Sequence, residues 1–373
     1  MKILIACGGT GGHLFPGIAV AESFLAQGHQ PLLLISQKKI DSQASAKYPH
    51  LTFKVVPAIA KPATLSPKMI PFLWALFQSI RTSKKIIREF GADAVLGMGG
   101  FTSLPPVFAG HRLGKKTFVH DSNARPGKAN ILTSRFCDKV FIGLAPAAAF
   151  FKTPVEITGT PARPEILNLP TRTQAAANFG LDPKKTTLLV TGGSQGALGL
   201  NRLIAQAAPL LPEDIQIFHI AGPGDFERIR AEHPKRRPGY QLIGFCDQMP
   251  SAYALADLVV TRSGASTLTE ISLAGLPSIL VPYPYAADDH QTANAKVFSD
   301  AGAAKLIQQK DLTPESLAKL LSELLSNPST LEKMSAAAAS LAVPDAPAKV
   351  TAAILASLEH RTRPRRNANS DTA

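Results

Sequence analysis

The chain has 373 residues, of which 45% are hydrophobic and 18% charged, so we expect two α/β domains of ordinary size and exclude a largely disordered protein. Its three cysteines stand far apart without a CxxC pair, which argues against a disulfide framework or a zinc site, and no apolar run reaches the roughly 18 residues of a membrane-spanning helix. The formal net charge of +13 favours an anionic partner, which leaves nucleic acid, acidic lipid head groups and phosphate-bearing substrates open.

Short apolar runs alternate with helical patterns along the chain, which predicts an α/β fold of parallel sheets covered by helices. The predicted strands are residues 2–6, 31–35, 53–56, 94–96, 117–120 and 139–142 in the first half, and 187–191, 215–220, 241–243, 258–261 and 278–281 in the second. Because a strand that runs into a glycine-rich loop occurs in each half, we expect two Rossmann-like domains. Residues 158–164 are rich in turn formers and predict a hinge.

The two glycine-rich loops are Gly8-Gly9-Thr10-Gly11-Gly12 and Gly192-Gly193-Ser194-Gln195-Gly196. Such a loop lets the backbone approach a ligand closely, and the helix after it directs N–H groups at an anion. The pair therefore favours phosphate or sugar binding over two purely structural turns. A dinucleotide fold is excluded, because the GxGxxG spacing from Gly9 would need glycine where Leu14 stands and no acidic residue ends the second strand. Pro16 predicts that the first helix begins close to it.

Three further segments contain candidate functional residues. His13 follows the first glycine loop, where a general base and a structural histidine both remain open. The hydroxyl-rich segment 262–270 predicts a helix start that binds a diphosphate, with Glu270 on a ribose, or else a capping box formed by Thr267 and Glu270. In residues 288–294, polar contacts to a sugar or helix capping are favoured over a metal site, since a single histidine stands beside the carboxylates.

Residues 69–77, from Met69 to Phe77, contain the single tryptophan, and basic residues follow at Arg81, Lys84, Lys85 and Arg88. An apolar and aromatic stretch before a basic one is typical of a helix that lies on an anionic membrane, but a helix packed on the sheet with solvated lysines remains an alternative. The arginine-rich end of the chain, residues 361–373, is predicted to be a disordered tail.

Several segments together, in this order, resemble the MurG family of bacterial glycosyltransferases, within glycosyltransferase family 28. The segments are Gly8-Gly9-Thr10-Gly11-Gly12-His13, Gly97-Met98-Gly99-Gly100-Phe101, Gly192-Gly193-Ser194-Gln195-Gly196-Ala197, Arg262-Ser263-Gly264-Ala265 and the region from Gln291 to Asn294. The resemblance covers roughly residues 2–356 and implies the two-domain GT-B fold, with the halves facing across a cleft. It implies an acceptor and membrane domain at 1–161, a UDP-N-acetylglucosamine domain at 162–343, and a helix at 344–360 that packs back on the first domain.

The resemblance also implies an activity. An enzyme of this family transfers N-acetylglucosamine from UDP to the C4 hydroxyl of the N-acetylmuramyl group of lipid I, giving lipid II for peptidoglycan synthesis. It would act as a peripheral protein on the cytoplasmic face of the bacterial inner membrane, without a cofactor, a metal or nucleic acid. The alternatives are another GT-B enzyme, such as a UDP-N-acetylglucosamine 2-epimerase or a glycolipid synthase, and a non-catalytic nucleotide-sugar-binding or membrane-scaffold protein. A nucleic-acid binder is suggested by charge alone, without the aromatic and basic interleaving of known modules.

Site residues follow from the same resemblance. The expected base is His13 or Asp121, and the latter lies in Asp121-Ser122-Asn123, where the family has Glu-Gln-Asn. The family's Gly-Asn-Pro is here Gly159-Thr160-Pro161. The residues implied to contact substrates are Thr10, Gly11 and Gly12 beside the donor sugar and acceptor, Asn123, Arg163, Ser194 and Gln195 on the donor, Cys246 by its backbone on the uracil, Ala265, Ser266, Thr267, Leu268, Thr269 and Glu270 on the diphosphate and ribose, and Gln291 and Asn294 on the sugar hydroxyls.

Overall fold

The computed structural model describes residues 1–9, 11–37, 46–57, 69–193, 195–233 and 237–362, with side chains up to residue 359. Over these residues the chain forms two parallel sheets flanked by helices, one of seven strands and one of six. The two sheets contain no strand in common, and each has its own hydrophobic core. The predicted α/β fold of two Rossmann-like halves is confirmed.

The first sheet has the strand order β3-β2-β1-β4-β5-β6-β7. Its interior strand β1 is buried along Ile3, Leu4 and Ile5, and Leu4 lies opposite Leu32 on one side and Val95 on the other. Fully buried strands of this kind are expected where helices cover both faces of a parallel sheet. The elements are β1 (Lys2–Ala6), α1 (Gly11–Ala26), β2 (Gln30–Ile35), β3 (Thr52–Val55), α2 (Met69–Phe90), β4 (Ala94–Gly97), α3 (Leu104–Arg112), β5 (Lys116–Asp121), α4 (Lys128–Ser134), β6 (Lys139–Ile142) and β7 (Val155–Ile157).

The second sheet has the order β10-β9-β8-β11-β12-β13. Its central strand β8 pairs with β9 and β11, so the carboxyl ends of β8 and β11 are adjacent and bring the two loops that follow them together. The elements are α5 (Arg172–Phe179), β8 (Thr187–Thr191), α6 (Leu198–Ala207), β9 (Gln216–Ile220), α7 (Phe226–Glu232), β10 (Tyr240–Ile243), α8 (Met249–Leu255), β11 (Leu258–Thr261), α9 (Ala265–Leu273), β12 (Ser278–Leu280), α10 (His290–Asp300), β13 (Ala304–Leu306), α11 (Pro314–Leu325), α12 (Pro328–Ser340) and α13 (Ala346–Thr362).

Two strands, β7 and β13, were not expected from the sequence. Each has three residues and pairs with a single neighbour, β6 and β12 respectively. An edge strand of this length lacks the apolar run that marks a buried strand, so its pairing depends on tertiary contact. The prediction that helix α1 begins close to Pro16 was also wrong: the helix begins at Gly11, and Pro16 lies inside it.

The chain passes between the two halves twice. Helix α13 follows the second half and packs on α1, where Val350, Ile354 and Leu358 enter the core of the first sheet. The two connecting segments touch, since a Cβ added at Gly159 would lie 2.5 Å from the Cβ of Val343. The predicted hinge therefore lies beside the returning chain.

The basic tail that was predicted to be disordered begins at residues 361 and 362, the end of α13, and its remainder, 363–373, lies outside the described residues.

Two buried histidines are held neutral. His219 on β9 donates from Nε2 to Asn201 Oδ1 at 2.9 Å and accepts at Nδ1 from the Tyr240 hydroxyl at 2.6 Å. His120 on β5 donates from Nε2 to the carbonyl oxygen of Gly159 at 2.9 Å. Burial lowers the pKa of His219 to about 3 and that of His120 to about 4.

These depressed pKa values predict a loss of stability in acid. The unfolded chain takes up protons first as the pH falls, because an unfolded histidine titrates near ~6.5. At about pH 5 this favours unfolding by about 2 kcal/mol for each such histidine. We expect the stability advantage of the wild type over His219→Gln to shrink by about 2 kcal/mol between about pH 7.5 and about pH 5 in urea unfolding followed by circular dichroism. An equal advantage at the two pH values would contradict a neutral buried His219.

Candidate active site

His13 lies in the first turn of α1 and packs on the loop after β4. A methyl group added at Gly99 would come within 3.0 Å of His13 Nε2, and one added at Gly100 within 3.1 Å of Cε1. Both glycines have positive φ angles, +112° and +73°, which side chains rarely adopt. The edge of the His13 imidazole therefore packs directly against the backbone of two residues that have no side chain. Gly11 and His13 are half-buried and Gly12 is exposed, whereas Thr10 lies outside the described residues.

Asp121 ends β5 and is buried, with its carboxylate oxygens occupied by four donors. Oδ1 accepts from the Asn123 backbone at 2.9 Å and from Asn123 Nδ2 at 3.3 Å, while Oδ2 accepts from the Gly127 backbone at 3.2 Å and from Asn130 Nδ2 at 2.7 Å. Burial raises the pKa of Asp121, and these hydrogen bonds oppose that rise. The contacts are those of a carboxylate that orders the surrounding loop.

Asn130 links Asp121 to the surface under His13. Its Oδ1 accepts from the backbone N–H of Gly100 at 3.0 Å, while its Nδ2 donates to Asp121. The carboxylate of Asp121 thus fixes the glycine turn on which the His13 ring packs. Asn130 was not singled out in the sequence, because it lies on α4 and outside every glycine motif.

Arg163 joins the hinge segment to both halves. Its Nη2 donates to Glu270 Oε1 at 2.8 Å, and its guanidinium lies over the Phe15 ring of α1 at 4.8 Å from the ring centre. Glu270 Oε2 accepts from the Tyr253 hydroxyl at 2.9 Å. Burial alone would lower the pKa of Arg163, but the Glu270 carboxylate outweighs it, so the net pKa is raised. Phe15 and Tyr253 were not predicted as site residues either. Their contacts with Arg163 and Glu270 join segments that are distant in the sequence, so no local pattern indicates them.

The start of α9 has no side-chain cap. Its N-cap residue is Gly264, and among the described residues no side-chain cap hydrogen bond is made there. Thr267 lies inside the helix and Glu270 binds Arg163 and Tyr253, so the capping-box alternative for this pair was wrong. The first amides of a helix have no acceptor within it, which makes this start an anion site. Ala265, Ser266, Thr267 and Thr269 are half-buried.

Three other predicted residues of the second half have side chains that differ in exposure. Leu268 and Cys246 are buried in apolar clusters, so only their backbone groups are available to a ligand. Gln195 is exposed in the second glycine loop, where Gly196 has a φ angle of +80° and a Cβ would lie 2.4 Å from the Ala221 carbonyl oxygen. Ser194 lies outside the described residues.

Gln291 begins the polar face of α10 beside β11. Its Oε1 accepts from the backbone N–H of Ser263 at 3.3 Å and of Tyr283 at 2.9 Å. Because the carbonyl oxygen is bound in this way, the amide N–H₂ of this half-buried side chain is the group that can donate to a ligand.

Asn294, one turn further, lies between the two halves and is completely buried. Its Oδ1 accepts from the backbone N–H of Ala124 at 2.7 Å, and its Nδ2 donates to Asn123 Oδ1 at 3.1 Å and to the Ser263 carbonyl oxygen at 3.1 Å. The predicted donor residues Asn123 and Asn294 thus contact each other, and in this arrangement Asn294 holds the halves together.

No group of three or more histidine, cysteine, aspartate or glutamate side chains in the described part of the chain is placed to bind a metal ion. Among the helices of that same part, none has the length and apolarity needed to cross a membrane.

Comparisons with known proteins agree with this division into halves. The glycosyltransferase family 28 N-terminal domain matches residues 3–142, and the glycosyltransferase family 28 C-terminal domain matches residues 187–350.

A relative from Geobacter sp. (strain M21) is named UDP-N-acetylglucosamine–N-acetylmuramyl-(pentapeptide) pyrophosphoryl-undecaprenol N-acetylglucosamine transferase. It is 36% identical over 98% of this chain and 99% of its own length. The crystal structure of Acinetobacter baumannii MurG has a TM-score of 0.76 at 30% identity, covering 95% of this chain and 99% of that one. A putative UDP-N-acetylglucosamine 2-epimerase from Listeria monocytogenes shares the fold, with a TM-score of 0.69 at 19% identity over 97% of this chain and 98% of its own. The chain belongs to glycosyltransferase family 28 and, within it, to the MurG transferases.

Proposed function

We infer that this protein transfers N-acetylglucosamine from UDP-N-acetylglucosamine to lipid I, the undecaprenyl-pyrophosphoryl N-acetylmuramyl-pentapeptide, and so forms lipid II. The observation that carries this conclusion is the similarity over nearly the full chain to transferases named for that reaction. The geometry supports it, because Arg163 contacts both Phe15 on α1 of the first half and Glu270 on α9 of the second, so these two helices approach each other.

The second half, residues 162–343, would hold the donor. The uncapped amides of Ala265, Ser266 and Thr267, together with Ser194, Gln195 and Arg163, would bind the diphosphate. The Cys246 backbone would bind the uracil. Glu270 has accepted one hydrogen bond at each oxygen, and a carboxylate has about four lone-pair positions, so two ribose hydroxyls can still bind there. The Gln291 amide would donate to the sugar hydroxyls.

The first half, residues 1–161, would hold the acceptor, and helix 344–360 would close the fold against it. Thr10, Gly11 and Gly12 would lie between the acceptor and the donor sugar. Of the two candidate bases we favour His13, because its ring is half-buried at the start of α1, whereas four donors already surround the Asp121 carboxylate. Asp121 would then act through Asn130 as a positioning residue.

The reaction is a single displacement. The acceptor C4 hydroxyl oxygen attacks the anomeric carbon, and the bond from that carbon to the β-phosphate oxygen breaks. His13 takes the hydroxyl proton, and UDP leaves with the bonding electron pair, stabilised by the helix amides and Arg163. Attack opposite to the leaving group inverts the anomeric centre and gives a β-linkage.

Helix α2 carries a continuous outer face that changes from apolar to basic. Ile70, Leu73, Trp74 and Phe77 are 78%, 55%, 66% and 55% exposed, and their spacing places them on one side of the helix. Arg81, Lys84, Lys85 and Arg88 continue that side, while Phe72, Ile86 and Ile87 face the core. We propose that this face binds the cytoplasmic surface of the inner membrane, with the apolar end inserted and the basic end on anionic head groups.

A double substitution, Trp74→Glu with Phe77→Glu, tests the membrane face. Both side chains are exposed, so we expect the fold and UDP affinity to be retained. Each lost aromatic insertion removes roughly 1.5–3 kcal/mol, so binding to phosphatidylglycerol-containing vesicles in a sedimentation assay should fall by about 100-fold or more. Leu210→Glu, at a 54% exposed position in the second half, is the matched control and should bind as the wild type does. Equal vesicle binding by the double variant would exclude this face.

The function itself is tested by incubating the purified protein with UDP-N-acetylglucosamine and lipid I, with and without EDTA, and measuring the lipid-linked disaccharide. We expect product under both conditions. Conversion of UDP-N-acetylglucosamine to its 2-epimer in the absence of lipid would favour the epimerase alternative, and binding of UDP without any turnover would favour a non-catalytic role.

A further inference from the structure

Arg262 is a buried cation that has no carboxylate partner in the described part of the chain. It follows β11, is 6% exposed, and donates from Nη1 to the carbonyl oxygens of Val281 and Pro282, each at 3.0 Å. Its Nη2 donates to Gln309 Oε1 at 2.6 Å, and its buried Nε has no hydrogen-bond partner among the residues that the structure describes. Across the described residues, no aspartate or glutamate oxygen lies within 4.0 Å of its guanidinium. The partly buried Arg163 and Arg172, by contrast, each have a carboxylate at 2.8 Å or less.

Such an arrangement is costly in the isolated protein. Three neutral oxygen atoms accept hydrogen bonds from N–H groups of the guanidinium, but they do not balance its positive charge. A buried charge without a charged partner is strongly unfavourable. Burial lowers the pKa of Arg262, yet an arginine stays protonated in proteins. The folded chain thus keeps a fixed positive charge that its own described carboxylates do not neutralise.

The position of this charge is specific. The backbone of Arg262 leads through Ser263 and Gly264 into the uncapped start of α9. Its side-chain partner Gln309 packs against the first turn of α6, since a Cβ added at Gly199 would lie 2.6 Å from Gln309 Nε2. The start of α6 likewise has no side-chain cap. Arg262 therefore lies between two helix starts whose positive dipole ends follow the adjacent strands β8 and β11.

We propose that Arg262 is a positioning residue whose uncompensated charge is the counter-charge for the donor diphosphate, acting from behind the two helix starts without touching the donor. This inference rests on the proposed function only in requiring a nucleoside diphosphate as ligand. A charge at this place strengthens binding of the phosphates and stabilises UDP as it leaves, while the uridine is held by other groups.

Gln309→Glu tests the charge without removing Arg262. The substitution keeps the shape of a half-buried side chain and places a carboxylate at Nη2, so the fold should be at least as stable as the wild type. We expect UDP affinity, measured by isothermal titration calorimetry, to fall by about tenfold while uridine affinity changes less than about twofold. Gln309→Met, which removes the acceptor of the Arg262 Nη2 hydrogen bond and adds no charge, sets the baseline and should lower UDP affinity by less than about threefold.

Arg262→Lys and Arg262→Met complete the test. The lysine variant keeps the charge and should retain more UDP affinity than the methionine variant, again with uridine nearly unchanged. If UDP and uridine affinities fall together, Arg262 only maintains the fold and the proposal is wrong; it is also wrong if Gln309→Glu binds UDP as tightly as Gln309→Met. A wild-type protein that binds neither UDP nor UDP-N-acetylglucosamine would instead overturn the proposed function.

Discussion

Replacing His13 with glutamine should lower kcat by about 10²–10⁴-fold and leave the affinity for UDP within about twofold. The reason is that His13 lies on the first half, on the turn of Gly99 and Gly100, and the proposed nucleotide contacts lie on the second half. Glutamine keeps a polar side chain of similar reach but cannot accept a proton at neutral pH. Turnover with lipid I and UDP binding by calorimetry are the two measurements.

A matched histidine variant separates loss of the base from the general effect of removing a histidine. His111→Gln, at an exposed histidine of α3, should retain the wild-type rate. Near-normal turnover by His13→Gln would instead assign the proton transfer to Asp121 or to water.

Replacing Glu270 with alanine should weaken UDP binding by about 100-fold or more. Hydrogen bonds to a charged group contribute about 1.5–3 kcal/mol each, and Glu270 is proposed to accept from two ribose hydroxyls. The variant also leaves the Arg163 guanidinium and the Tyr253 hydroxyl without their shared acceptor. Equilibrium binding of UDP and of 2′-deoxy-UDP gives the expected signature: the wild type should prefer UDP by about tenfold, and the variant should bind the two with nearly equal affinity.

The comparison of the two nucleotides distinguishes a ribose contact from a purely structural carboxylate. If Glu270 served only to hold Arg163, its loss would weaken both nucleotides equally and leave the preference for UDP intact. Glu270→Gln keeps the size of the side chain and serves if the alanine variant is unstable. In it the preference should be reduced but not lost, because an amide still provides one acceptor oxygen.

Features that depend on local periodicity could be predicted from the sequence alone. Apolar runs predicted most strands of both sheets, and the glycine loops correctly predicted that helices follow strands β1 and β8, although α1 begins at Gly11 and not close to Pro16. Helix α2 is an intermediate case. Its 3.6-residue period was readable, but the side that the core covers, through Phe72, Ile86 and Ile87, depends on how the helix packs.

The rest depends on contacts between distant segments. Glu270 has the spacing of a capping residue relative to Thr267, and only the approach of Arg163 and Tyr253 shows that its carboxylate is used elsewhere. Asp121 was a candidate base because it lies where the resembled family has Glu-Gln-Asn, whereas its four hydrogen bonds come from residues up to nine positions away that curl around it. No local pattern specifies such partners.

The junction at Asn294 bears on how often the enzyme can complete a cycle. Its two contacts across the junction, with the Ala124 backbone and with Asn123 Oδ1, are hydrogen bonds that water can replace at a net cost of only about 0.5–1.5 kcal/mol each. An interface of aliphatic side chains at the same place would be unfavourable to expose to water, and it would therefore slow the separation of the halves and the release of UDP. The hydrogen bonds of the Asn294 amide instead allow the two halves to separate readily after each transfer. Because these bonds are directional, they still fix one alignment of the halves when they close again.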